Sequence, residues 1–253
     1  MSIKYKHVIK HLKPMISRMG GKNYFKKKIV DKYFIDDYIN YKYVEPFFGG
    51  GSIFFYKDYG TKEEIINDLD TSIYIVLKGL QKYNWDSYKD LVNIDMDKVL
   101  FEKIKTSNPT TEKSLFLKNL ILFKYSYYGK QKHLNSRSKP VNMNFEAYKE
   151  RLKNTIILNQ DYKDVILKYD SPDTFFYLDP PYEMSKKTHY KHHEFNLKEL
   201  HEILKNIKGK FLLSYNESEM ATELFKDYYI NYDTTIYVGH KKKTEIIISN
   251  YKI

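Results

Sequence analysis

Short apolar runs alternate with amphipathic stretches through the first third of the chain. Residues 41–48 (YKYVEPFF) predict a strand that stops at a glycine turn, GGGS at 49–52, and IFFYKDY (53–59) predicts the start of a helix. EEIINDLD (63–70) predicts a second strand that ends in acids. TSIYIVLKGLQKYN (71–84) opens on Thr and Ser and sets apolar residues at 73, 76, 77 and 80, the spacing of one helix face. Strand, helix, strand, helix is the order of a parallel sheet with crossover helices, so the fold class is α/β.

That rhythm breaks from about Trp85 to Lys153. Helical patterns cover 86–106 and 112–125, and the stretch from 125 to 145 (YSYYGKQKHLNSRSKPVNMNF) is polar, aromatic and basic without a sustained period. The rhythm resumes with strands at 155–161 and 174–182, a helix at 196–207, a strand at 209–216 and a helix at 218–228. YINYDTTIYV (229–238) and TEIIISNY (244–251) predict a closing hairpin with GHKKK as its basic tip. The reading divides the chain into a sheet domain, 1–84 with 154–253, and an insertion, 85–153. Insertions of this kind carry partner contacts, because scaffolds place function on loops.

Composition narrows the function classes. The chain has 253 residues, no cysteine, and 43 basic against 32 acidic residues, a net charge of +11. Disulfides and thiolate chemistry are excluded. The basic excess favours a polyanion, nucleic acid before a membrane surface. No apolar run is long enough to cross a bilayer, and the N-terminus lacks a secretory signal pattern, so an intracellular protein is expected. The 26 Tyr and 15 Phe serve equally as core filling or as platforms for bases.

Candidate chemistry collects at predicted strand ends. In an open parallel sheet ligands bind at the carboxyl ends of the strands. VEPFFGGGS brings glycines that let a ligand approach backbone at a helix N-terminus. IINDLD puts Asp68 or Asp70 where a ribose hydroxyl pair could bind, with Asp68 19 residues after Gly49. GGGSIF lacks the third glycine of a dinucleotide fingerprint, and Glu45 before the turn suits a cationic ligand group rather than a phosphate. ILNQD ends in Asp161 and FFYLDPPY in Asp179, and the proline pair stops that strand because it cannot donate to a neighbour.

EPFFGGGS, DPPY and, ahead of both, SRMGGK (17–22) together resemble the Dam-like DNA adenine-N6 methyltransferases, which use S-adenosylmethionine, in the motif order of that class. The resemblance covers nearly the whole chain. It implies a Rossmann-like sheet with helices on both faces and an inserted, mainly helical target-recognition region with a hairpin or loop. It implies that Arg18, Met19, Gly20 and Lys22 lie against the donor, Lys22 near its carboxylate. Glu45, Pro46, Phe47, Phe48, Gly49, Gly50, Gly51 and Ser52 would line its methionine portion. Asp68 would accept from the ribose, with Asp70 as the alternative. Asp161 and Tyr162 would sit by the donor's adenine, although Asp161 reads equally as a helix cap. Asp179 would border the donor as well.

The same resemblance gives DPPY a chemical reading. The amino group of adenine is a poor nucleophile, and Asp179 with the backbone carbonyl of Pro180 would accept its two hydrogens. Pro181 stiffens the turn, and Tyr182 stacks on a base swung out of the duplex. Arg137 is the candidate for a base edge. Tyr127, Tyr128, Asn135 and Ser136 share its segment. Lys130, Lys132, Lys139, Lys241, Lys242 and Lys243 suit phosphates. The expected partner is double-stranded DNA, bound by a monomer or weak dimer. The rivals are an RNA adenine methyltransferase, a cytosine-N4 enzyme, disfavoured because its motif more typically reads SPPY, and an inactive DNA-binding subunit. HYKHH (189–193) has no second cluster to complete a metal site, and no metal is expected.

Overall fold

The computed structural model describes residues 12–14, 16, 22–84, 92, 94–135, 144–182, 195–238 and 241–253, with backbone alone over 234–238 and 241–243. The strands are β1 (Lys42–Glu45), β2 (Glu63–Asn67), β3 (Ile156–Leu158), β4 (Thr174–Leu178), β5 (Lys210–Asn216), β6 (Tyr229–Val238) and β7 (Lys241–Ser249). They form one sheet in the order β3-β2-β1-β4-β5-β7-β6. β1 to β5 run parallel, and β7 lies antiparallel between β5 and β6.

Successive residues of a strand face opposite sides, so a strand buried on both reads as a continuous apolar run. Tyr43, Ile66, Phe175, Tyr177, Leu212 and Ile247 enter one hydrophobic cluster. Their neighbours Val44, Ile65, Phe176, Leu178, Leu213 and Ile248 enter the other. The first face is covered by α1 (Thr71–Lys82), α2 (Lys98–Thr106), α3 (Glu112–Tyr125) and α4 (Phe145–Leu152). The second is covered by α5 (Tyr162–Tyr169), α6 (Leu197–Leu204) and α7 (Glu219–Leu224). Helices on both faces are what the sequence predicts. The helices of the insertion share the first cluster with the sheet through Phe101, Phe116, Leu120, Tyr125, Tyr148 and Leu152. A Cβ on Gly79 of α1 would lie 2.1 Å from the Phe116 ring, so a glycine is needed where α3 crosses α1.

A buried charge cluster ties α4 to β2. Arg151 places one guanidinium nitrogen 2.9 Å from Glu64 Oε1, a second on Glu64 Oε2, and donates to the Phe54 carbonyl at 3.0 Å. Lys57 bonds the same carboxylate, and burial pulls its ammonium down to about 8.

Three sequence expectations change. Residues 53–59 form a series of turns, with Phe55 N–H on the Gly51 carbonyl and Lys57 N–H on that of Ile53, rather than a helix. Gly51 has a left-handed φ of +72°, and Phe54 and Phe55 pack ring against ring at 5.3 Å, so the segment has no single apolar face to lay down. Within 86–106 the helical pattern is broken at residues 94–97, and a helix starts again after Asp97, whose carboxylate accepts from Leu100 N–H. Lys241, Lys242 and Lys243 belong to β7, paired with Tyr237 and its neighbours, instead of standing in the hairpin tip. At that end β7 runs beyond β5, and lysines are well suited to a strand with one open edge.

Candidate active site

From β1 the chain proceeds outward to β2 and β3 on one side, then returns to lay β4 and β5 on the other. The crevice at such a reversal opens between the carboxyl ends of β1 and β4. The glycine turn and DPPY therefore meet there, although the whole insertion lies between them in the sequence.

Pro46 ends β1, and the turn after it is held by β2. Phe48 N–H donates to the Asn67 carbonyl at 2.9 Å, and Asn67 Nδ2 donates to the Pro46 carbonyl at 3.0 Å. Gly49 N–H donates to Asp68 Oδ2 at 2.7 Å, and Asp70 N–H to Asp68 Oδ1 at 2.9 Å. Gly49 has φ +55°. A Cβ on Gly50 would sit 2.3 Å from the Ile16 carbonyl oxygen, and one on Gly51 2.3 Å from the Phe48 ring. A Cβ on Gly49 would meet nothing within 4 Å. The turn is packed hard beneath and open above, a cradle that a side chain at Gly49 would fill. Ser52 is buried just behind it.

Asp70 caps α1 by accepting from Ser72 N–H at 2.9 Å, and Asp161 caps α5 by accepting from Lys163 N–H at 2.9 Å. The cap reading of Asp161 is thus the one visible in its contacts. Next to that cap the rings of Phe47, Tyr162 and Phe195 gather. Phe47 lies 5.0 Å from Tyr162 and 5.9 Å from Phe195. Tyr215, at the end of β5, meets Phe195 at 6.5 Å and Tyr182 edge-on at 5.2 Å. All three of Phe47, Tyr162 and Phe195 are only partly buried.

At the end of β4 an ion cluster fills the floor. Lys22 Nζ lies 2.7 Å from Asp179 Oδ1, 2.9 Å from the Tyr182 hydroxyl and 2.9 Å from Glu245 Oε1. Lys22 and Glu245 are 3% exposed, whereas the Asp179 side chain keeps 21%. Burial pushes the Asp179 carboxyl up to about 6; Lys22 opposes the rise and Glu245 adds to it. Burial also works against the Lys22 ammonium, but Asp179, Tyr182 and Glu245 together hold it well above its ordinary value. Glu45 is pushed up to about 8, mainly by burial, and accepts the Tyr43 hydroxyl at 2.6 Å. The Tyr177 hydroxyl, buried beside this cluster, has no hydrogen-bond partner among the described residues.

Glu245, Ser214, Tyr215 and Phe195 escaped the sequence reading. Glu245 had a signal: an acid opening the apolar run EIII shares the inward face of Ile247, and a buried acid needs a partner. The rings of Tyr127 and Tyr128 are 47% and 58% exposed on a compact loop closed by a bridge between Ser126 and Leu134. Tyr128 and Gln131 hold left-handed φ values of +51° and +57°. Lys130, Lys132 and Asn135 sit on the same loop, half-buried. Arg18, Met19, Gly20, Ser136, Arg137, Lys139 and the HYKHH stretch lie outside the described residues, as do the side chains of Lys241–Lys243. Among the described residues no cluster of His, Asp and Glu could hold a metal ion, and no helix is long and apolar enough to cross a membrane.

A glycine cradle at one strand end with an acid–proline–proline–tyrosine run at the next is the arrangement that the resemblance to amino-group methyltransferases implies. The model of the D12 class N6 adenine-specific DNA methyltransferases matches residues 19–244, and the chain belongs to that family. It is an adenine-specific DNA methyltransferase. It is similar to the type II methyltransferase M.CviBI of Paramecium bursaria Chlorella virus NC1A, 25% identical over 86% of this chain and 88% of that one. It is also similar to the type II methyltransferase M.MjaIII of Methanocaldococcus jannaschii, 26% identical over 70% and 71% of the two chains. A solved structure described as a putative methyltransferase, yhhF from Escherichia coli, aligns over 89% of this chain and 83% of its own, with 10% identity and a TM-score of 0.35.

Proposed function

We propose that the protein methylates N6 of an adenine swung out of double-stranded DNA, within a short sequence context, using S-adenosylmethionine. The observation that carries this reading is the Asp179 carboxylate at the end of β4, paired at 2.7 Å with a buried lysine yet still open to the crevice.

The donor, when bound, supplies a methyl group activated by a cationic sulfonium. The residues suited to hold it are Phe47, Gly49, Gly50 and Gly51 of the cradle, Asp68 beside it, and Asp161, Tyr162 and Phe195 along the aromatic bed. Three features favour that fit. Gly49 opens on free space, the Tyr177 hydroxyl is buried and unpartnered, and three partly exposed rings can sandwich a purine.

On the acceptor side, the adenine amino group offers two N–H donors and a lone pair drawn into its ring. Asp179 accepts one hydrogen and the Pro180 carbonyl the other, which turns the lone pair outward and stabilises the positive charge that develops on nitrogen. Tyr182 provides a ring for the extruded base, and Lys22 fixes both Asp179 and Tyr182, its three N–H donors all engaged by protein groups. Holding both reactants in one crevice supplies much of the rate. Tyr127, Tyr128 and the lysines of their loop face the DNA, and Arg137 reads a base edge. The names of the two relatives favour service in a restriction–modification pair.

Incubation with methyl-labelled donor and matched DNA and RNA duplexes tests the reading. Label on N6 of adenine in DNA alone is the predicted result, and label confined to RNA or to cytosine would reject it.

A further inference from the structure

We propose that Glu245, on the closing antiparallel hairpin, is a positioning residue for the acceptor end of the active site, sharing the Lys22 ammonium with Asp179 and fixing the Tyr182 hydroxyl. The proposal rests on the reading that Asp179 accepts the adenine amino hydrogens.

Glu245 Oε1 gathers three donors from three different elements. Lys22 Nζ stands at 2.9 Å, the Tyr182 hydroxyl at 3.3 Å, and the Ser214 hydroxyl of β5 bonds the same oxygen. Glu245 is 3% exposed and Ser214 is fully buried. A carboxylate on an interior strand is costly unless paired, and this one is paired with the lysine that also serves Asp179. The Lys22 ammonium is 2.7 Å from one acid and 2.9 Å from the other, so each acid draws on a charge the other needs. Asp179 is left less firmly ionised than a carboxylate with a private lysine would be, in keeping with its rise to about 6. Among the described residues, Glu45 from β1, Tyr177 from β4 itself and Tyr182 also interact electrostatically with Asp179. Among the described carboxylates, Asp179 and Glu245 are the two that bond Lys22.

The hairpin thereby sets how basic the amino-group acceptor is and where the stacking ring stands. Glu245→Gln keeps shape and size while removing the charge. Lys22 then belongs to Asp179, and the Asp179 carboxyl should titrate about one pH unit lower, the ordinary size of a neighbouring-charge effect. Two readouts follow: the carboxyl-carbon NMR titration of Asp179, and the acid limb of methyl transfer in single turnovers from pH 5 to 8. Both should move down in Glu245→Gln and stay in place in Glu245→Asp, which keeps the charge. Thermal melts confirm that each variant is folded. A folded Glu245→Gln with both curves superimposed on the parent would overturn the proposal.

Should Glu245→Gln not fold, Ser214→Ala asks the same question from the other side. Losing one donor, Glu245 draws harder on Lys22, and the Asp179 titration should rise; an unmoved titration would again overturn the proposal. Because the NMR titration needs no turnover, a parent that transfers no methyl group would count against the function while the Glu245 test still decides.

Discussion

Lys22 Nζ stands 2.7 Å from Asp179 Oδ1, which joins the residue after the N-terminal glycine pair to the first residue of DPPY across a separation of 157 positions. The contact is buried on the lysine side and open on the acid side. Asp179 is thereby fixed in direction without being sealed from a substrate. Asp179→Asn removes the charged acceptor and should lower methyl transfer about a hundredfold or more. Rates on a DNA substrate containing the target context, at saturating donor, check it.

The same substitution should not weaken the fold. The Asp179 carboxyl sits at about 6, above the usual carboxylate value near 3.9. A raised acid contributes stability that is whole below the unfolded value and is lost as pH rises through the folded one. At pH 8 the parent carries the cost of an ionised, partly buried Asp179, and Asn does not. Melting temperatures should therefore place Asp179→Asn level with or above the parent at pH 8, with the gap closing toward pH 4. A large drop at pH 8 would contradict this.

Activity should follow the same ionisation. In the proposed chemistry only the carboxylate accepts the amino hydrogen, so kcat/KM should fall as pH drops through about 6 and level off above it. Glu45, pushed up to about 8 by burial, is a second titration to watch on the alkaline side. A profile flat from pH 5 to 8 would speak against Asp179 as the acceptor.

The glycine turn separates fold from binding. Gly51→Ala sets a Cβ against the Phe48 and Phe55 rings at a φ of +72°, and should destabilise the protein by about 1–3 kcal/mol or more. Gly49→Ala carries only the left-handed strain, roughly 1–2 kcal/mol, because its Cβ meets nothing. That Cβ enters the cradle, so donor affinity should fall at least tenfold in a protein that still folds. Urea unfolding and donor calorimetry on the two variants distinguish these effects.

Arg151→Ala tests what holds the insertion to the sheet. Its guanidinium, 1% exposed at the side chain, bonds Glu64 twice and lies 3.5 Å from the Phe54 ring centroid. Breaking a buried pair from one side costs about 3–5 kcal/mol. Denaturant titration should show that loss, with donor affinity unchanged wherever the variant remains folded.

How much of this was legible in the sequence depends on whether the signal was local. Val44, Ile65, Phe176 and Leu213 announced doubly buried strands by the continuity of their runs, and Pro180 with Pro181 announced a strand end. Ser218 stood where a cap residue belongs, whereas Asp70 and Asp97 cap helices without having been read as caps. Glu245 was hidden because its partner set depends on β7 slotting between β5 and β6, a strand order that no local pattern encodes. Phe195 and Tyr215 carry no local signal, and only the fold brings them beside Phe47 and Tyr182. The turn over 53–59 was misread because a run of apolar rings looks alike whether it lines a helix face or stacks upon itself.

The central claim is that Asp179, presented by β4 and steadied by Lys22, makes this chain an adenine-N6 methyltransferase of DNA. The most direct test is a base-resolution map of modified bases in plasmid DNA from methylation-deficient cells expressing the parent or Asp179→Ala. N6-methyladenine is expected in one short sequence context with the parent and not with the variant. The same mark in both, or a mark on a base other than adenine, would contradict it.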